Sequence, residues 1–238
     1  MAKKVLIPIP DNDFDLTEVS VPWKNFIQNG IEVTFSTEKG NIGKTDPLLI
    51  SGVIFGQLGA KPDVIKIYRE LEQDKAFLNP ISYESVNPSE YDALLLPGGH
   101  AKGMRQYLEN NILQNKVVEF FKEKKIIGAI CHGPVVLART MNPDTGKSII
   151  FGKKLTALTK KLEMLAYYLT FWKLGNYYRT YPAYVEDEIT SVLKNQKDFQ
   201  QGNGMWKPFV IEDGNLITSR WPQDAYLFAE TLVNRIKG

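Results

Sequence analysis

The chain is poor in the side chains that build disulfides and metal centres, with one cysteine and two histidines in 238 residues. A single thiol excludes an intramolecular disulfide and any cysteine-rich metal site, and it suits a reducing compartment. Neither sign of charge dominates: 29 Lys and Arg stand against 27 Asp and Glu, a net charge of +2. Electrostatics therefore offers no attraction for nucleic acid or an anionic membrane, and neither is expected as a partner. No stretch approaches the roughly 20 apolar residues that a membrane span requires. The opening segment MAKKVLIPIPDND breaks its short apolar run with prolines and lacks a small-residue cleavage site. A signal peptide is thus not expected, and a cytoplasmic location is. Internal repeats, low-complexity tracts and linkers are missing too. With 43% hydrophobic and 24% charged residues, what remains is an ordinary globular chain, expected to form one domain over residues 1–238.

What is present reads as alternating strands and helices. Val5-Leu6-Ile7-Pro8-Ile9 is apolar throughout, as a strand buried on both faces should be. Residues 18–29 carry Val19, Val21, Trp23, Phe26 and Ile27 at roughly helical spacing, with Pro22 early enough to fall near a first turn and Gly30 as a stop. Ile31 to Phe35 forms a second strand, and this β-α-β opening argues for a parallel sheet. Residues 38–90 are less regular, with an amphipathic helix expected over 64–78, and read as an insertion lying over the strand ends. Tyr91 to Leu96 is a buried strand ending in Pro97-Gly98-Gly99-His100, followed by a helix over 104–124. After IIGAICHGP come a helix at 134–141, a hairpin through GKSIIFGKKLTAL, helices from Leu162 to Trp172 and over 185–194, a hairpin in PFVIEDGNLITSR, and a C-terminal helix from about Asp224 to Ile236. The fold class expected is α/β, a doubly wound, mostly parallel sheet flanked by helices.

The chemistry concentrates at IIGAICHGP, residues 126–134, where a buried strand runs into Cys131-His132-Gly133-Pro134 and a helical pattern resumes. Ligands of open α/β sheets bind at such carboxyl ends. A thiolate is the reactive form of cysteine, and a helix amino end or a neighbouring imidazolium lowers the ordinary thiol pKa of about 8.5. A sharp strand-to-helix turn also exposes its side chain. A lone cysteine is more often a small buried apolar residue, but the strand end, the adjacent His132 and the Gly-Pro helix start favour a nucleophile here. Gly98 and Gly99, at another strand end, let backbone N–H groups approach a ligand and suit half of an oxyanion hole. Glu18, at the head of the first helix, reaches the same edge, although the helix dipole alone would favour a carboxylate there. His100 faces the same cleft, as a ligand contact or as a plain loop residue. No spacing signals a metal site, and neither a metal nor a cofactor is expected.

The elbow A-I-C-H-G-P, the strand end L-P-G-G-H and the early Glu followed by a Pro-containing helix, at these separations, resemble the ThiJ/PfpI superfamily, nearest to its glyoxalase and chaperone-type branch. That resemblance implies a flavodoxin-like, class I glutamine amidotransferase-like three-layer sandwich. It implies Cys131 as nucleophile, Glu18 as a protonated carboxyl hydrogen-bonded to its sulfur, and His132 as acid and base. The N–H groups of Gly99 and His132 would form the oxyanion hole. It also implies a carboxylate just beyond the following strand that orients the histidine, and Glu163 in ALTKKLE is the matching residue. Three features depart from the family pattern: Lys160 and Lys161 ahead of Glu163, the aromatic run around Tyr167, Tyr168, Phe171, Trp172, Tyr177 and Tyr178, and Trp221 in SRWPQDAYLF. These aromatics would line a pocket or a subunit interface, or simply pack in the core. The implied function is cofactor-free, cysteine-dependent chemistry on a small carbonyl compound, as in a glyoxalase III-like conversion of methylglyoxal to lactate, or a related amidase or hydrolase. The alternative is an oxidative-stress sensor or holding chaperone using the same cysteine. The partners expected are a small-molecule substrate and a second copy of the chain.

Overall fold

A computed structural model describes residues 2–53 and 58–238. Seven strands form one sheet: β1 (Lys4–Pro8), β2 (Glu32–Thr37), β3 (Ile81–Ser82), β4 (Ala93–Leu96), β5 (Ile126–Ile130), β6 (Val210–Asp213) and β7 (Leu216–Ser219). Their order across the sheet is β6-β7-β5-β4-β1-β2-β3. Every neighbouring pair is parallel except the β6–β7 hairpin. The central strands are apolar on both faces, with Val5, Leu6, Ile7, Leu94, Leu95, Leu96, Ala129 and Ile130 buried, because helices cover both sides. On one face α1 (Leu16–Gln28) packs between α2 (Pro62–Leu71) and α7 (Ala225–Lys237). On the other, α4 (Gly133–Arg139) packs against α3 (Asn111–Lys122) and α6 (Val185–Val192). The architecture is the three-layer, doubly wound α/β sandwich expected. The chain order reverses between β1 and β4, and the loops leaving those strands open the crevice where such sheets bind ligands.

Capping side chains set several boundaries differently from the hydrophobic pattern. Asp74 accepts from the N–H groups of Ala76 and Phe77 and starts a new turn at Lys75–Leu78, so the helix expected over 64–78 is broken after Leu71. Asn110 likewise caps Leu113 and restarts the chain as α3, dividing the helix expected over 104–124. Asp15 caps α1 two residues ahead of the expected start, which leaves Pro22 in mid-helix rather than in its first turn. The hairpin expected after Gly146 lies earlier, between Met141–Asn142 and Lys147–Ser148, while Leu155 bridges to Phe199. The helix α5 (Lys160–Leu174) begins under a Thr159 cap, and little of it is buried.

One buried ion pair shapes the edge of the crevice. Arg220, at 2% exposure, directs Nε and Nη2 onto the two Asp224 oxygens, both at 2.9 Å. Its remaining donors meet the carbonyls of Gln201, Gly204 and Lys207, so all five guanidinium N–H groups are used. Asp224 also accepts from the Phe209 and Arg220 amides. The segment 201–209, which has no regular structure, is thereby tied to the end of β7. Removing one partner of such a pair strands a buried charge at a cost of about 3–5 kcal/mol. The Asp224→Ala variant is accordingly expected to lose about that much unfolding free energy in urea titration, and an unchanged midpoint would show that the segment is held by other means.

Candidate active site

The elbow forms as the strand-to-helix pattern requires. Cys131 follows β5 with φ +61°, a left-handed backbone unusual for a side chain other than glycine. It is held there on two sides: its N–H donates to the Ser219 carbonyl and its own carbonyl accepts from Leu158 N–H. The turn leaves no room at Gly133, where an added Cβ would sit 2.1 Å from the Leu96 carbonyl oxygen.

Gly98 brings β4 against this corner. A Cβ there would fall 2.6 Å from His132 N, 2.9 Å from Cys131 Cβ and 2.9 Å from Glu18 Oε2. Its peptide is gripped by the head of α1, for Gly98 N–H donates to Glu18 Oε2 at 2.8 Å and Gly98 C=O accepts from Asp15 N–H at 2.8 Å. Asp15 caps that helix through the Thr17 and Glu18 amides. With the Gly98 amide committed to Glu18, the donors left at this corner are the N–H groups of Gly99 and His132. Neither is paired with a carbonyl among the described residues.

Burial sets the protonation states. Glu18 is fully buried, and desolvation followed by the neighbouring Asp15 pushes its carboxyl well above the carboxylate range, so it is held as the acid. Its Oε1 has no hydrogen-bond partner of ordinary geometry among the described residues, and the facing side chain is the Cys131 thiol. The thiol expectation is reversed. Cys131 is wholly buried rather than exposed, and desolvation, then Glu18 and Asp15, push it up rather than down. The helix behind it, seven residues long, does not offset that burial. His132 is held neutral, well below its ordinary value, by burial and then by His100 and Arg139.

A hydrogen-bond chain assigns the tautomer of His132. The Thr180 hydroxyl donates to the His100 carbonyl at 2.5 Å, which leaves it to accept from His132 Nε2 at 3.2 Å. The proton of the neutral ring therefore sits on Nε2, and the bare Nδ1 faces Cys131 Sγ at 3.5 Å. Arg105 Nε in turn holds the Thr180 carbonyl at 2.7 Å. Thr180 thus occupies the position expected for Glu163. Glu163 is buried nearby, but its oxygens accept from Arg179 Nη1 at 3.3 Å and Val185 N–H at 3.0 Å. The carboxylate anchors the start of α6 instead of orienting the histidine.

His100 completes the corner, its ring 5.0 Å from that of His132 and 6.0 Å from that of Tyr178. Burial lowers its pKa to about 4, so it too is neutral. One donor atom each from His100, Cys131 and His132 lie within 4.8 Å of one another, a set that could hold a thiophilic metal ion. Sequence spacing gave no sign of it. His100 also lines a cavity of about 320 Å³ shared with Asp15, Asp46, Tyr178, Trp206 and Trp221. Leu49 and Val53 of the 38–90 segment reach the same cavity. Of the flagged aromatics, Tyr178 and Trp221 line it, whereas Tyr168, Phe171 and Trp172 are 57%, 47% and 61% exposed on α5.

The raised carboxyls carry a pH signature. Glu163 titrates at about 7, chiefly through burial, against 4.5 for the free side chain. The folded state therefore binds the proton more tightly, and the stability it contributes is present below about 4.5 and lost as pH rises through 7. Asp15, raised to about 6, acts in the same direction. The Glu163→Gln variant is expected to show a stability-against-pH slope shallower by about 1 kcal/mol per pH unit between pH 5 and 7. Chemical denaturation across that range measures it, and an identical slope would contradict the assignment.

Comparison with known proteins places this corner in a family. Glyoxalase 3 of Candida albicans is 25% identical over 218 residues, covering 92% of this chain and 87% of the relative. The glutathione-independent glyoxalase HSP31 of Saccharomyces cerevisiae is 24% identical, covering 93% and 88%. An uncharacterised protein of Methanocaldococcus jannaschii is 30% identical, covering 98% and 82%. The crystal structure of glyoxalase III from Candida albicans superposes with a TM-score of 0.75 at 22% identity over 98% of this chain and 96% of that one, a likeness of fold. The family model described as ThiJ/PfpI family-like matches residues 9–226, and with an elbow cysteine, a buried acid and a Gly-Gly strand end inside that span, the chain belongs to the ThiJ/PfpI family.

Proposed function

We propose that the protein is a cofactor-free, cysteine-dependent enzyme of the glyoxalase III type, converting an α-oxoaldehyde such as methylglyoxal into the 2-hydroxy acid. The observation that carries this reading is the thiol of Cys131 3.5 Å from the unprotonated Nδ1 of His132, with the acid Glu18 facing the same sulfur. The glyoxalase names of relatives that cover most of the chain support it. No helix among the described residues is long and apolar enough to cross a membrane.

The groups account for each proton. As sulfur attacks the aldehyde carbon, the thiol proton passes to Nδ1 of His132 and on to the new alkoxide, which gives a hemithioacetal. The N–H groups of Gly99 and His132, neither paired with a backbone carbonyl among the described residues and the latter directed at the Cys131 sulfur, are suited to steady the developing oxyanion. Nδ1 then removes the proton on that carbon while the Glu18 acid protonates the adjacent carbonyl oxygen, forming an enediol. Return of the first proton to the second carbon, and of an enediol hydroxyl proton to Glu18, leaves a thioester. Water adds to the thioester with His132 as base, the C–S bond breaks, and sulfur recovers its proton as the 2-hydroxy acid leaves. The net change is one water added and an internal redox between neighbouring carbons, so no external reductant is needed.

A buried, protonated thiol fits this scheme better than peroxide sensing, which needs an accessible thiolate. The Cys131→Ala variant is expected to bring lactate formation from methylglyoxal down to the enzyme-free rate with an unchanged circular dichroism spectrum. An unchanged rate would overturn the proposal. Thr180 acts as a positioning residue, so Thr180→Val is expected to lower kcat about 10- to 100-fold with little change in KM. Thr180→Ser, which keeps the hydroxyl, should recover most of it, and failure of that rescue would assign Thr180 a packing role only.

A further inference from the structure

We propose that the cavity beside the thiol is a side-chain subsite selecting α-oxoaldehydes with a bulky apolar substituent, an aryl group being the class that fits. The proposal rests on the glyoxalase reading of Cys131 and names the substrate that reading leaves open. The cavity of about 320 Å³ has Leu158 and Leu162 on one wall, continued outward along α5 by Ala166 and Leu169, with Trp206 and Trp221 lining it as well. These walls are apolar or aromatic, and although Asp15, Asp46, Thr170 and Gln223 also line the cavity, apolar surface predominates in it. At its inner end stands His100, which lines the cavity while placing a ring nitrogen within 4.8 Å of the Cys131 sulfur and the nearest His132 nitrogen. Cys131 and His132 do not line the cavity themselves, so His100 is the partition between the reacting atoms and the apolar space.

This geometry fits a substrate with two unlike ends. The oxoaldehyde carbons must pass the His100 edge to reach sulfur, while whatever is attached to the ketone carbon stays in the cavity. Methylglyoxal has one methyl group to place there and would leave most of an apolar space to water. A planar ring would displace that water against leucine and indole faces, which is favourable in proportion to the apolar area buried. The buried indole Nε1 of Trp221 has no acceptor among the described residues, and it offers one donor to a polar ring substituent. The position of Trp206 is not accidental, because the Arg220 guanidinium holds the carbonyls of Gly204 and Lys207 on either side of it. Small and large oxoaldehydes share the same reacting atoms, so the cavity acts on selectivity and not on the chemistry.

The test compares initial rates of the full chain on phenylglyoxal and methylglyoxal. The expected kcat/KM for phenylglyoxal is at least about tenfold higher, the discrimination that a hydrophobic pocket supplies for several added carbons. Ala166→Phe fills the cavity from α5 and is expected to lower the ratio of the two values at least about tenfold. Trp206→Ala removes the outer wall at a position 74% exposed, where folding is not at stake, and should lower the ratio too. Conversion of methylglyoxal without preference for phenylglyoxal, or a ratio unmoved in both folded variants, would overturn the subsite and leave the glyoxalase reading intact. Conversion of neither aldehyde by the unmodified protein would overturn that reading and this one with it.

Discussion

The close approach of three chain segments at Gly98 is the constraint on which the rest of the site depends. The end of β4, the elbow after β5 and the head of α1 meet where a single added methyl carbon would overlap His132 N, Cys131 Cβ and Glu18 Oε2 together. Because the Gly98 peptide is held by Asp15 on one side and Glu18 on the other, α1 is locked to the sheet at the switch point. That lock puts an acid next to a thiol that the β5–α4 turn has already bent into a left-handed backbone. The strain at Cys131 persists because hydrogen bonds from both flanking segments determine it.

Burial then decides how the site works. Thiol, imidazole and carboxyl are all held neutral, since each would otherwise place an uncompensated charge in a region screened from bulk solvent. A resting ion pair between cysteine and histidine is therefore disfavoured, and in the proposed reaction proton transfer would accompany attack on the substrate instead of preceding it. Thr180 suits this arrangement better than a carboxylate would, because it fixes the tautomer of a neutral ring without stabilising the imidazolium. Glu163 remains useful as the acceptor for the first amide of α6 and for Arg179, a structural duty that keeps the 179–185 segment and Thr180 in place.

The sheet and the elbow were legible from local pattern alone. Continuous apolar runs marked β1, β4 and β5, and the Pro-Gly-Gly and Cys-His-Gly-Pro stops marked where they turn. The head of α1 was legible as well, since Asp15 three residues before Glu18 is a capping pattern that could have moved the helix start to its observed place. The helix breaks at Asp74 and Asn110 were missed because a capping side chain overrides a hydrophobic period that continues across it. Glu163 was matched by its distance from the elbow along the chain, and such spacing cannot tell which buried group its oxygens will meet.

What the sequence determined by itself is the central strands, the parallel character of the sheet and the place of the candidate corner, because those follow from periodicities and turn residues acting over a few positions. The partner of His132 was decided by tertiary structure, since Thr180 lies 48 residues away in a segment with no motif. So were the direction of each pKa shift and the apolar cavity behind His100. Desolvation and cavity shape are sums over neighbours drawn from the whole chain, and no short stretch of sequence contains them.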